Sequence, residues 1–425
     1  MRKGALLLFL VLLLSAVRGA GARTEPGTPV AEPPGPAYAI ADEQFISGTL
    51  RDQLAVVRFL EAEGSILVGM DLEPVSGRPM PAAAALTFLG EAYTVSPSLL
   101  LALIEMEHGV LSERELPSAF SDRLRWQARM LSRWFYDYYY RQGAARDGGP
   151  VELNAGNAGT YALRNYFFAQ VYGRGAYPAG EGEREAQLAA WERALAATYG
   201  RYFGSLWAGR LAARRPAAAD YNVLPSFELP WNGDDIWYFT GGPHNFDGSN
   251  RLPLSGVDFQ PAGHGGCNPP VAREQWVVAA AGGRTAGYQS WWLKLDHDFD
   301  GDVMSGWQTV YGHLAHGIAP GLYITPGQRL GNPSCHGGFA SGVHVHFGVK
   351  FENVWQPVMD FSLSGWHFER GEEAYEGWMV RPGGAERQAC FDPETREYDC
   401  THGALLSRSD GELRQSEAVG AFYQR

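Results

Sequence analysis

Two hydrophobic rhythms divide the chain. From Asp122, apolar or small side chains recur at Leu124, Ala128, Leu131, Phe135 and Tyr138, the spacing of a helix with one buried face. Residues 160–172 and 183–211 keep that character. Ser96-Pro97, ahead of the apolar run 99–104, has the form of an N-cap followed by a first-turn proline. Arg214-Arg215-Pro216-Ala217-Ala218-Ala219 breaks the pattern. Beyond residue 220 the helical period vanishes and turn residues become dense. Short β-rich runs follow at 276–278, 291–295, 309–311 and 343–349. This order predicts an α+β fold, with a helical N-terminal region followed by an antiparallel β-sheet domain.

The 425 residues exceed one ordinary core, so two folded units are expected. Residues 1–22 have the form of a secretory signal peptide. Arg2 and Lys3 precede an apolar stretch at 5–17, and Ala20-Gly21-Ala22 supplies small residues for cleavage. The stretch is short for a spanning anchor, which is the alternative, and no later segment is long enough to cross a bilayer. The predicted division is 1–22 signal, 23–38 Pro/Gly-rich linker, 39–217 helical pro-domain, 218–360 β-rich domain, and 361–425 C-terminal extension. The net charge of −12 argues against nucleic acid as a partner and gives no support to an anionic membrane.

Export turns the four cysteines into expected disulfides. Of three connectivities, the short polar segment between Cys390 and Cys400 favours a stapled hairpin, which leaves Cys267 with Cys335.

The candidate chemistry lies in the C-terminal half, which holds every histidine except His108. In His344-Val345-His346-Phe347 the two imidazoles share one face of a strand, while Val345 and Phe347 point to the other. Gly242-Pro243-His244 sits in a turn-rich stretch, and in 255–259 Asp258 faces away from Val257 and Phe259. Two imidazoles and one carboxylate suit a zinc ion with one open position, the catalytic rather than the structural arrangement. His344 and His313 are the candidates for imidazoles beside that position.

These segments resemble the lysostaphin and β-lytic metalloendopeptidase family of peptidoglycan-cleaving zinc peptidases. Gly256-Val257-Asp258-Phe259 is similar to the family's Gly-x-Asp motif, and residues 341–347 to its Gly-Pro-His-Leu-His-Phe motif, with Val343 in the place of proline. Residues 306–314 resemble the segment carrying the middle histidine, and 324–331 the Gly-punctuated turn after it. The resemblance implies His244, Asp258 and His346 as zinc ligands and His313 and His344 as catalytic imidazoles; either can be the general base, and the strand face that His344 shares with His346 favours His344. It implies an exported endopeptidase acting on peptidoglycan cross-bridges or Gly-rich peptides, with its own N-terminal pro-domain as a partner. The second reading is a catalytically silent module that binds cell wall or regulates another hydrolase.

Other features invite misreading. Residues 296–302 resemble the start of a calcium loop, but Trp307 stands where an EF-hand needs a glutamate, so an acidic hairpin tip is the favoured reading over bound Ca²⁺. His264, His297, His316 and His336 read as surface residues. Glu105-Met106-Glu107-His108-Gly109 resembles the acid-bearing helix end of lytic transglycosylases, a role that requires Glu107 to be buried with a raised pKa. Residues 154–157 read as a helix-start turn. The aromatics after 350 (Trp355, Trp366, Phe368, Tyr375, Trp378) suit packing on the β core slightly better than a polymer groove.

Overall fold

The structure is a computed structural model. It describes residues 33–400 except 76, 114–115, 141–154, 173–180, 234, 246–248, 290, 393–396 and 399, together with 405–406. The signal segment at 1–22 therefore lies outside the described residues.

Helices fill the N-terminal half, at Asp42–Ile46, Gln53–Ala62, Ala82–Tyr93, Pro97–His108, Phe120–Tyr140, Ala158–Tyr172 and Glu181–Phe203. Local chemistry sets their ends. Ser96 accepts from Leu99 N at 3.1 Å with Pro97 in the first turn, and Gly109 closes the same helix at φ 65°. Asn157 accepts from Thr160 N at 2.9 Å, which starts the Ala158–Tyr172 helix. Two expectations need correction. The helical stretch is interrupted by a hairpin of β1 (Asp71–Val75) and β2 (Arg78–Pro81), where Pro74, Pro79 and Pro81 remove helix donors. The last long helix stops at Phe203 rather than near 211, because Gly204 turns the chain at φ 89°.

The C-terminal half is built on an antiparallel nine-stranded sheet. Its middle strands, in order of pairing, are β6 (Gly283–Gln289), β7 (Trp292–Asp296), β8 (Trp307–Gly312), β12 (Val345–Phe351), β4 (Gly256–Pro261) and β3 (Trp237–His244). A small sheet joins β5 (Val277–Val278), β11 (Arg329–Pro333) and β9 (Leu314–Ala315). Short β10 (Tyr323–Ile324) and β13 (Val354–Gln356) flank β6 and β12 respectively.

The pleat of β12 separates two environments. Val345, Phe347, Val349 and Phe351 enter one core with Val257, Phe259, Leu293 and Leu295. Trp366 and Phe368 join that core from the C-terminal extension, so these aromatics pack inward. On the opposite face, Trp292, Val310, Val354 and Trp355 belong to the same apolar cluster as the N-terminal helices. The sheet is thus buried on both sides, with the helical region lying against the face that carries His346. Cys267 bonds Cys335, and Cys390 bonds Cys400.

Among the described residues no single helix is long and apolar enough to cross a membrane. The bent pair Ala82–Tyr93 and Pro97–His108 has the required composition, and its side chains form the core of the helical region.

Candidate metal centre and its flanking histidines

Strand register assembles the centre. His346 on β12 is paired with Asp258 on β4, and β3 runs beside β4 so that His244 lies opposite Gly256. The ligand-type atoms of His244, Asp258 and His346 all lie within 4.8 Å of one another, and all three residues are buried. His244 Nε2 is 3.1 Å from Asp258 Oδ2, and His346 Nδ1 is 3.0 Å from Asp258 Oδ1. His244 Nδ1 donates to the Asn245 carbonyl at 3.1 Å, which leaves Nε2 as its ligand atom.

That nitrogen tests the fit of a cation. His244 Nε2 is buried without a hydrogen-bond partner, and an orphaned acceptor of this kind is costly unless something electropositive meets it. An imidazole pair plus one carboxylate is a donor set suited to zinc. Gly256 leaves the space: a Cβ there would stand 2.1 Å from His346 Cε1 and 3.1 Å from His244 Cε1.

Asp258 is held well below the usual carboxylate range. Burial pushes it up, but His244 and His344 beside it, with a hydrogen bond from His346, outweigh that penalty. His346 is pushed down by burial, against the pull of Asp258.

The structure brings both flanking histidines to the same place. His313 follows β8 with φ 60°, and its ring centroid is 4.3 Å from that of His344. His344 Nε2 lies 3.9 Å from Asp258 Oδ2. His313 Nδ1 donates to the His336 carbonyl at 2.7 Å, and His344 Nδ1 donates to the Gly342 carbonyl at 2.8 Å. Each neutral ring therefore keeps its lone pair on Nε2. Burial, with His344 and His346 nearby, drives His313 well below the ordinary histidine range.

Two supporting residues were not assigned to the site from the sequence. Buried Ser334 donates to the His313 carbonyl at 2.7 Å, and its own carbonyl pairs with His344 N, so one residue ties both flanking histidines. Tyr375, in the C-terminal extension, stacks on His244 with centroids 4.0 Å apart and planes at 18°.

The remaining histidines divide. His316 is exposed, and half-buried His264 pairs with Glu274 at 2.8 Å. His336 is half-buried and stacks on Trp291. His297 corrects the surface expectation. Its ring spans the Gly282 carbonyl at 2.8 Å and Thr309 Oγ1 at 3.1 Å, and burial lowers its pKa to about 4.

Asp296, Asp298 and Asp300 also gather their oxygens within 4.8 Å. Those oxygens accept from the backbone N–H groups of Asp298, Asp300, Gly301 and Asp302 and from the Ser305 hydroxyl, the bonds of a tight hairpin tip. Glu107 is raised to about 7 by burial, as its acid reading requires. Its Oε1 accepts from the Tyr166 hydroxyl at 2.8 Å and from Gln170 at 3.1 Å, contacts that join the Pro97–His108 helix to Ala158–Tyr172.

Residues 38–216 match the family model described as LasA, N-terminal domain. The chain is 28% identical over 176 residues to a β-lytic metalloendopeptidase of Achromobacter lyticus, covering 40% of this chain and 44% of that protein. It is 25% identical over 324 residues to protease LasA of Pseudomonas aeruginosa strain UCBPP-PA14, covering 67% and 69% respectively. The chain thus spans less than half the length of the first of these relatives. Among solved structures, the deep-sea M23 metalloprotease pseudoalterin shares 26% identity over 39% of this chain and 95% of its own, with a TM-score of 0.33.

Proposed function

Since the chain belongs to the lysostaphin and β-lytic metallopeptidase family, we propose that it is an exported zinc endopeptidase made as a zymogen, acting on peptidoglycan cross-bridges or other Gly-rich peptides. The observation that carries this reading is the convergence of His244, Asp258 and His346 beside two Nε2 lone pairs. The working division is signal peptide to 22, linker to 38, inhibitory helical region to 217, peptidase domain to 360 and C-terminal extension beyond.

In this reading His244, Asp258 and His346 hold the zinc ion. Bound there, zinc supplies a Lewis acid that lowers the pKa of a water towards about 7 and polarises the scissile carbonyl. His344, partly open at the cleft, takes the proton of the attacking water on Nε2 and passes it to the leaving amine. His313, kept neutral by burial, accepts a hydrogen bond on Nε2 and fixes the orientation of the attacking group. Neither role needs a serine or cysteine nucleophile.

The zymogen element rests on cover. His244, Asp258, His313 and His346 are each at most 7% exposed in the intact chain. Arg78 of the β1–β2 hairpin donates to the carbonyls of Cys335 and Ala340 at 2.8 Å each, which fastens the helical region to the loop beside His344. Phe88 packs on Trp292, which itself lies 5.3 Å from His346 between ring centroids. Substrate reaches the site once this cover is displaced.

The test is zinc content and turnover of a pentaglycine peptide by the full-length chain, before and after limited trypsin treatment at the exposed Arg214-Arg215 segment. Cleavage that appears after nicking and needs zinc supports the reading. A zinc-loaded, nicked protein that cuts neither this peptide nor whole peptidoglycan favours the silent wall-binding module.

A further inference from the structure

Among the described residues, Glu91 is the carboxylate that the helical region lays on the sheet between two lysines. It pairs with Lys350 at 2.6 Å through Oε1 and with Lys294 through Oε2. Its backbone carbonyl accepts from Trp355 Nε1 at 3.1 Å and from Lys350 at 3.4 Å. Asn353 Oδ1 takes a further bond from each lysine, at 3.3 and 3.5 Å. Lys350 is 1% exposed, and its ammonium lies 4.5 Å from the centre of the Trp355 ring.

The lysines share the metal-site face. On β12, His346, Gly348 and Lys350 alternate onto one side, which sets Lys350 about 13 Å from His346 along the strand. On β7, Trp292 and Lys294 do the same, with Trp292 beside both His313 and His346. A continuous floor therefore runs from the metal ligands over Trp292 to a pair of ammonium groups. The Ala82–Tyr93 helix covers this floor with residues three apart, Phe88 on Trp292 and Glu91 on the lysines. Two cations meet one anion here, so removing the helix leaves a dication on a groove floor. A buried ion cluster adds little stability over apolar packing of the same volume, which makes cohesion of the interface a poor reason for two lysines.

We propose that Lys294 and Lys350 form a carboxylate subsite of the substrate groove, about four extended residues from the bond that is cut, and that Glu91 fills it in the intact chain. The ligand class is a peptide with a free carboxylate, at its C-terminus or on a side chain. The proposal rests on the peptidase reading above and assigns that site a preference for acidic peptides.

Two measurements test it. The first uses trypsin-nicked full-length protein on a pentaglycine peptide ending in an acid or an amide, and on a pair carrying Glu or Gln at the same distance. The acid member of one pair is expected to have about tenfold higher kcat/KM, the effect of a charge-assisted contact, and that pair identifies the source of the carboxylate. The ratio should fall towards one in Lys294→Met and Lys350→Met. Equal rates on both members of both pairs overturn the subsite while leaving the peptidase reading intact. Failure to cut any of the four peptides or whole peptidoglycan removes the peptidase reading, and the substrate role of the lysines with it. The second measurement is the melting temperature of intact Glu91→Ala in rising sodium acetate, with chloride holding ionic strength constant. A saturable rise that is absent from the Glu91→Ala, Lys294→Met double variant supports a carboxylate-selective pair. The same rise in chloride alone overturns it.

Discussion

Tyr375 and His244 lie ring on ring, 131 residues apart in sequence, with centroids 4.0 Å apart. Gly241 makes the approach possible, because a Cβ there would stand 2.7 Å from Tyr375 Cδ1. The stack limits rotation of His244 about its side-chain bonds while Asn245 holds Nδ1. Tyr375→Ala should weaken zinc retention about 3- to 10-fold, the range of one aromatic contact, as measured by competition with a chromogenic chelator. Unchanged affinity would show that the Asn245 bond alone orients the ring.

Gly256 is a matter of space. Gly256→Ala directs a methyl group into His346 and His244, and displacing either breaks the three-residue set. The variant should lose about 1–3 kcal/mol of stability from overpacking and lose bound zinc, read by urea unfolding and metal analysis of the same sample. Retention of stoichiometric zinc would mean that the histidines can shift together.

The flanking histidines should separate experimentally from those proposed to hold the metal. His346→Ala should remove the metal, whereas His344→Ala and His313→Ala should keep it and lower kcat about 10²- to 10⁴-fold in the nicked protein. Metal content beside single-turnover rates checks this. Loss of zinc from His344→Ala would move that residue into the ligand set.

Acid should loosen the two halves of the intact chain. Glu91 is lowered to about 2 because Lys294 and Lys350 outweigh its burial, whereas an unfolded glutamate titrates near 4.5. A lowered folded value stabilises the chain fully above pH 4.5, and that contribution is lost as pH falls from there towards 2. It is on the order of 3 kcal/mol. Lys350 works the other way. Burial lowers it to about 8, so its desolvation cost is present below that pH and relieved as pH rises towards 10.5. Urea midpoints of wild type and Glu91→Gln between pH 2.5 and 7 should converge on acidification. Parallel curves would locate the acid sensitivity elsewhere.

Legibility in the sequence followed the range of the contacts. The alternation around His344 and His346 and the apolar neighbours of Asp258 are local signals, and they indicated strands that the sheet register then brought together. The β1–β2 hairpin was hidden inside a helical stretch because its cue is only three prolines and one bulged pairing. His297 read as surface because it adjoins an acidic tip, yet Thr309 and Gly282 enclose it from distant strands. Lys350 shows the limit best. A lysine alternating with Val349 and Phe351 has the pattern of a solvent-facing position, and only the packing of a helix more than 250 residues earlier buries it. Ser334 and Arg78 were silent for the same reason, and Tyr375 was legible as a packing aromatic but not as a partner of His244, since their partners lie on other elements.

The Cys267 bridge gives the 335–343 loop a second property. In the intact chain this loop is fastened to the β4–β5 connection by the Cys267–Cys335 disulfide and to the helical region by the two Arg78 bonds. If the helical region is removed, as the zymogen reading requires, the guanidinium goes with it and the covalent tie stays. The loop then has one fixed end at Cys335, another where β12 begins, and released carbonyls between them beside His344. On the zymogen reading those carbonyls would become acceptors for the backbone of an extended peptide, so the edge that anchors the cover would become one along which a substrate strand could lie.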